Sequence, residues 1–527
     1  MAPRQTLLPF FCFIRDMRFS ILYFIICHAF ALQAQEVYFS PLELSSEKGM
    51  TYDIIGRVGK QIWIYKAISN QHSIAVYNDS MQLVKKAELK FLPRELAKVD
   101  FINLGEEVHL FFQHVNKEKL YFSAARFNSE TKLVEEPIVL DSLLINDPRE
   151  LRVFRLIANA NRSKMMAYSF DLAGPQLIRI KAFLYNRKLE ALDKSEMLIA
   201  SPDGEEMLRE FQLDNLGNLI FFRGILNQET ELYSRADVLI KPFQEDTVKF
   251  ASIKVTDIAV RDIRLQVDNA NNKIIAAALY GAGRKYDISG VFSITIDINN
   301  NEILAGQPIP FSDSLRDECR MKNIPARSTF NDYLIDEIIP FKAGGYALLI
   351  ERRASEGNRF SGSGARFYTD NMLPPSIVYN GLTGNAPIFS TIRSPYDPFR
   401  QPIDPKSFIK NLAGNLLLIS MDETGNMADL QMLRKEQVEE NSSDLISYTT
   451  IRTPKGLRFL FNEKEKGGLT PNVVAFTPGN RLKRIPTFKI IPPNYRLLMR
   501  KAIQTATSES VIPCISNSFI SFGRVEF

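Results

Sequence analysis

Residues 214–226 read DNLGNLIFFRGIL. A polar turn of Asp, Asn and Gly leads straight into an unbroken apolar run, Leu219 to Phe222. Gly and Asn accept the positive φ that tight hairpin turns demand. A short apolar run bounded by turn residues reads as a strand buried on both faces. A strand with one wet face would alternate instead. The stretch therefore predicts a hairpin whose second strand has protein on either side.

The pattern recurs. IIGRVGKQIWIYKA starts at Ile54, FINLGEEVHLFFQH at Phe101, LIANANRSKMMAYSF at Leu156 and LQVDNANNKIIAAALY at Leu265. IIPFKAGGYALLIE starts at Ile338, FIKNLAGNLLLIS at Phe408 and YTTIRTPKGLRFLF at Tyr448. With the opening stretch, taken from Phe211, these make eight units. Their turns are anchored at Gly59, Gly105, Asn161, Gly217, Asn271, Gly344, Gly414 and Lys455, at spacings of 46, 56, 56, 54, 73, 70 and 41. Further strand pairs begin at Ser73, Leu120, Ile178, Val291 and Asn472. These alternate more clearly, as half-buried outer strands should.

Two hairpins per unit make a four-stranded antiparallel sheet, and a period of roughly 40–55 residues with four strands resembles the β-propeller architecture. The resemblance covers about residues 50–490 and is to the architecture, not to a named family. Trp63 is the sole tryptophan, so a recurring Trp-Asp pair is absent, and Gly344-Gly345-Tyr346 resembles a kelch motif once only. The chain is therefore expected to be all-β, a propeller of seven or eight four-stranded blades over residues 35–494. Long loop insertions are expected at about 304–333 and 351–407. Residues 495–527 are expected to hold a short helix, YRLLMRKAIQTA from Tyr495, and a closing C-terminal strand. The ending FISFGRVEF also suits an outer-membrane β-barrel, the rival fold. Barrel strands, however, alternate lipid-facing and lumen-facing residues, whereas LIFF, KIIAAALY and NLLLIS are continuous.

At the N-terminus, Phe19 to Leu32 form an apolar run after Arg18, and LQAQ with Ala34 supplies a cleavage site. This reads as a signal peptide over 1–34, with Met17 the expected true start. An uncleaved anchor is the alternative, but the run is short for a membrane span. Export to the periplasm or the surface of a bacterium is the expected location. After cleavage no integral membrane segment is expected.

The 527 residues are 45% hydrophobic and 24% charged, which are globular values. Cleavage after Ala34 removes Arg4, Arg15, Arg18 and Asp16, so the formal charge falls from +5 to +3. That is too mild a balance for nucleic acid. Cys319 and Cys514 remain in the mature chain and, in an exported protein, are a candidate disulfide.

Chemistry is sparse. The mature chain has three histidines, His72, His109 and His114. His109 and His114 have opposite parity on one strand and point to opposite faces, so no shared metal site and no cofactor are expected. DNANN at 268–272 and DINNN at 297–301 offer oxygens to calcium but read as turn formers. Nucleophile elbow, P-loop and dinucleotide motifs are absent. The insertion at 351–407 gathers Arg352, Arg353, Arg359, Arg366, Arg393 and Arg400 with Tyr368, Tyr379 and Tyr396. Guanidinium groups take carboxylates and sulfates bidentately, and tyrosines stack on sugars or peptides. These residues are the candidate ligand-binding set. The expected function is a non-catalytic binding or scaffold module for a protein or acidic glycan partner. The alternative is a propeller glycan hydrolase or lyase, which would gather carboxylate, Tyr or His side chains at an axial pocket.

Overall fold

The computed structural model describes residues 36–527 except 45–49, 69, 146–152, 175, 202–205, 228–231, 256–257, 282–286, 322–324, 358–408, 441, 466–467, 486–487, 489–490 and 493. Its strands fall into eight separate antiparallel sheets, set in a ring as the blades of a β-propeller. Blades 1 to 7 span 51–88, 98–144, 155–200, 206–252, 259–310, 333–440 and 448–485. Blade 8 is built from 496–526 together with 37–44. Eight sheets with separate edges are not one closed wall, so the rival outer-membrane barrel is excluded.

In blades 1 to 7 the strands pair in chain order. First strands of several consecutive blades touch one another around the axis. Fourth strands lie at the rim and are largely exposed, as in Leu83–Glu88 and Ile138–Leu144.

The opening stretch is the first hairpin of blade 4. Strand Glu206–Leu213 runs into the turn and Leu219–Asn227 leaves it as the second strand. Gly217 has φ +107° and accepts no Cβ there without strain. Leu219, Ile220, Phe221 and Phe222 are all fully buried. Leu219 and Phe221 pack with Tyr168, Ile180 and Leu184 of blade 3. Ile220 and Phe222 pack with Ile274, Ala276 and Ala278 of blade 5. Side chains alternate along a strand, and here both faces meet a neighbouring blade. That is why the run does not alternate in polarity.

This arrangement repeats round the ring. The eight apolar clusters each fill one junction between blades. Fully burying a Leu or Phe contributes about 1.5–3 kcal/mol, so each blade is held by its two neighbours.

Several junctions are also bridged by glutamine amides that imitate a backbone residue. Gln504 of blade 8 donates to Arg452 O at 2.6 Å and accepts from Arg452 N at 3.0 Å. Gln113 of blade 2 does the same with Phe154 O and N, both at 2.8 Å, ahead of blade 3. Gln212 of blade 4 donates to Leu265 O and accepts from Val267 N of blade 5.

The ring closes in blade 8. Strand Val37–Phe39 pairs with Phe519–Glu526, which pairs with Glu509–Ser516. Glu43–Leu44 extends the same edge. Glu43 bonds the ammonium of Lys66 in blade 1, which lies 5.2 Å from the Tyr77 ring and 5.3 Å from the Phe522 ring.

Three expectations are corrected. Gly414 is no turn, but lies inside the strand Ile409–Met421, the third of blade 6. The eighth first-hairpin turn is instead at Thr507 and Ser508, between Ile503–Ala506 and Glu509–Ser516. The segment after Tyr495 holds one 3-10 turn, Met499–Lys501, between short strands, and not a longer helix. Cys319 and Cys514 are free, buried thiols in different junctions, so they form no disulfide. Cys319 ends the short helix α1, Asp313–Cys319, and approaches Met432 Sδ at 3.5 Å. Cys514 lies between blades 7 and 8, where burial pushes its thiol up to about 12.

Antiparallel alternation gives the ring two distinct faces. First-to-second and third-to-fourth turns emerge on one, the turn face. Second-to-third connections and interblade links emerge on the other, the link face. The expected insertions at about 304–333 and 351–407 both begin too early: 304–310 lie in the strand Ile303–Pro310 of blade 5 and 351–357 in the strand Tyr346–Gly357 of blade 6, both of which end at the link face. The residues between 310 and 333 join blades 5 and 6. The segment 358–408 leaves blade 6 beyond the pair Gly357 and Ile409.

Candidate functional site

The axis was the expected place for composite chemistry. Its charged side chains are largely matched with one another. Glu210 of blade 4 meets Arg264 of blade 5 at 3.0 Å. Glu337 of blade 6 meets Arg452 of blade 7. Lys98 holds Asp100 at 2.9 Å on blade 2. Asp53, on the neighbouring blade 1, has its carboxyl raised well above the ordinary value by burial and by Asp100.

The densest group lies where blades 6, 7 and 8 meet. Arg353 pairs with Asp336 at 2.9 Å and with Glu351, and donates to Ser447 Oγ at 3.1 Å. Lys435 also binds Glu351 and donates to Gln437 Oε1 at 2.9 Å. Burial alone would raise the Glu351 carboxyl, but Arg353 and Lys435 overcome it and hold it below the usual range. Burial depresses the Lys435 ammonium. These groups are buried and bonded to each other, so they act as a clamp between blades.

The open space lies on the turn face, between blades 1 and 2. A cavity of about 570 Å3 runs over Val58 and Val76 and is flanked by Lys60, Lys85, Glu106, Glu130 and Lys132. A second cavity, of about 260 Å3, lies nearer the axis against Arg57, Asn103, Arg162, Gln504 and Thr505. Gly59 and Glu106 line both, so the two form one groove. Its walls are turns. Gly59 and Gly105 have φ +56° and +95°, and Gly59 N–H donates to Gly105 O at 2.8 Å. Asn103 fixes the inner wall by donating to Ile55 O and Arg57 O at 3.2 and 2.8 Å.

At the inner end, Arg57 donates from Nε to Glu509 at 2.9 Å and from Nη2 to Asp79 at 2.8 Å. Arg162 reaches from the first turn of blade 3 to the carbonyl oxygen of Asn103. Burial and the neighbouring Arg187 push its guanidinium down to about 10. The groove thus offers cations and backbone edges. Among its lining residues Glu106 and Glu130 are the carboxylates, and none is Tyr or His.

The predicted ligand-binding set is placed only in part. Arg353 is spent in the buried clamp. Arg352 lies 3.7 Å from Asp332 and is mostly buried. Arg359, Arg366, Tyr368, Tyr379, Arg393, Tyr396 and Arg400 lie outside the described residues. Asp214 Oδ1 accepts the amides of Gly217 and Asn218, both at 2.7 Å. Asp268 and Asp297 accept turn amides in the same way. Among the described residues no three His, Cys, Asp or Glu side chains gather as metal ligands. The groove itself had no linear signal, because its charged residues come from strands and turns of three blades.

No helix among the described residues is long and apolar enough to cross a membrane. No family model matches the sequence, and no curated protein matches it. Solved structures match by shape at very low identity. The WD40 domain of SCAP from fission yeast is 9% identical, with TM-score 0.36, covering 94% of this chain and 97% of that one. Prolyl oligopeptidase B from Galerina marginata is 8% identical, with TM-score 0.38, covering 92% and 56%. The polysaccharide lyase PL25 ulvan lyase, bound to a GlcA–Rha3S unit, is 10% identical, with TM-score 0.34, covering 80% and 90%. At these values the chain is similar to propeller-bearing proteins of unrelated functions, and none of those functions transfers with the likeness.

Proposed function

We propose that the chain is an exported, non-catalytic binding module, a rigid ring that holds a partner against its turn face. One contrast carries this reading. The carboxylates and arginines near the axis neutralise one another, while the open groove presents cations beside a glycine-walled cleft with no poised acid–base pair. A general acid or base needs a tuned, accessible group, and the groove lacks one. Export rests on the leader sequence, and the expected location is the periplasm or surface of a bacterium. The insertion at 351–407, which lies from residue 358 onward outside the described residues, is a second candidate contact.

The test is affinity capture of tagged residues 35–527 after cross-linking in the native host. A stoichiometric protein partner supports the binding reading. Recovery of the chain alone, with turnover of an acidic glycan by the purified protein, overturns it in favour of a lyase or hydrolase.

A further inference from the structure

We propose that the groove between blades 1 and 2 docks an extended, acidic segment of a partner protein that carries aliphatic side chains. The inference rests on the binding-module reading and names the occupant.

Shape gives the first argument. The two cavities share Gly59 and Glu106 and so form one path from rim to axis. A Cβ placed on Gly105 would meet nothing within 4 Å, so the path is open there. The bond from Gly59 to Gly105 ties its walls together, which leaves little conformational entropy to lose on binding.

Charge gives the second. Lys132 is matched by Glu130 at 2.7 Å. Lys85 donates to the carbonyl oxygen of Glu130 at 2.7 Å and shares the single Glu130 carboxylate with Lys132. Lys60 has no ion pair among the described residues. Against Lys60 and Lys85 stands Glu106. The surplus is cationic along the path, and complementary charge selects and steers an acidic occupant.

The apolar rim gives the third and separates peptide from sugar. Val84 lines the groove and is 54% exposed, with Leu83 before it at 50%. Leu133, Val134 and Val139 are exposed on the adjoining edge of blade 2. Neither cavity has an aromatic lining residue, so a sugar ring finds no stacking platform. An aliphatic peptide finds Val84 and the exposed edge of Leu83, Leu133 and Val134.

The test selects short random peptides by display on the immobilised mature chain, with the K60E/K85E double variant run in parallel. Both lysines are exposed, and an unchanged thermal unfolding curve verifies the fold. Enriched peptides are expected to interleave Asp or Glu with Val, Ile or Leu. Their affinity is expected to fall about tenfold or more for K60E/K85E, and to fall also for Val84→Asp. Failure to enrich peptides, enrichment without an acidic excess, or equal binding by the variant overturns the proposal. Polygalacturonate is the comparison probe. Groove-dependent binding of that polymer without peptide enrichment would sink the peptide occupant and leave the binding-module reading standing.

Discussion

His109 shows how much one residue reveals. It sits in the second strand of blade 2 with its side chain fully buried and neither ring nitrogen hydrogen-bonded. Its Nε2 lies 3.9 Å from Glu107, but that carboxylate is already paired with Arg126 at 3.1 Å. Burial therefore wins, helped by Arg126 and Arg187, and lowers the imidazole to about 3. The unfolded chain takes up this proton near the ordinary value of 6.5, and the folded chain does not. Stability must then fall as pH drops from about 6.5 towards 3, by up to about 1.4 kcal/mol per pH unit. His109→Phe is expected to remove this component, flattening the curve of urea midpoint against pH in that window. The same slope in both proteins would contradict the assignment. Sequence parity was enough to set His109 and His114 on opposite faces of one strand. It was not enough for Arg353, whose partners Asp336 and Ser447 come from another strand and another blade. A charge in a loop-like stretch and a charge in a buried clamp look alike until distant chain is brought beside them.

Among elements, the first hairpins of blades 1 to 7 were the most legible, because local chemistry sets them. Asp214 and Gly217 shape the turn, and the two-sided burial of Leu219 to Phe222 follows from it. Gly217→Ala forces a Cβ to 3.0 Å from Leu184 at a φ of +107°. It should cost about 1–3 kcal/mol, measured as a lower denaturation midpoint with unchanged m. Phe221→Ala should cost about 3–5 kcal/mol through lost burial and the cavity left behind. Gly414 shows where the reading failed. It has turn chemistry and flanking apolar runs, yet it lies mid-strand, its Cβ position 3.3 Å from the Arg352 side chain. The spacings of 70 and 41 around it belong to one long blade. The glutamine bridges had no sequence signal, since one Gln carries no period. Gln504→Leu should cost about 1–3 kcal/mol by leaving the Arg452 amide and carbonyl unpaired. A midpoint indistinguishable from the parent would show that water replaces the bridge.

For the whole molecule, repetition was legible and the groove was not. Seven of the eight units counted along the chain are true first hairpins, but Lys60, Lys85, Glu106 and Arg162 become neighbours only when consecutive blades stand side by side. The closing strap was legible as a terminal strand, not as a partner for Val37–Phe39. Glu43, in the N-terminal strand Glu43–Leu44 on the same sheet edge, matches Lys66, which is 4% exposed, while Glu43 itself is a third exposed. Glu43→Gln should therefore destabilise by about 1–3 kcal/mol, less than a fully buried pair would lose. The check is an equilibrium unfolding curve, alongside Lys66→Met. That variant, with no ammonium left to neutralise, should tolerate Glu43→Gln at little further cost.

The strap also sets a clock. Ser40 and Ser521 touch across a separation of 481 residues, and closing a loop of that length costs on the order of 5 kcal/mol in chain entropy. Little of that cost is returned until the final strand docks, so the last step of assembly is slow and late. Once it is made, no blade has an end from which to peel. Escape from the native state must first break blade 8 between two neighbours, and the lifetime of the folded ring becomes a matter of barrier height more than of equilibrium. Cleavage within the blade strands is then expected to wait on the opening of that single seam.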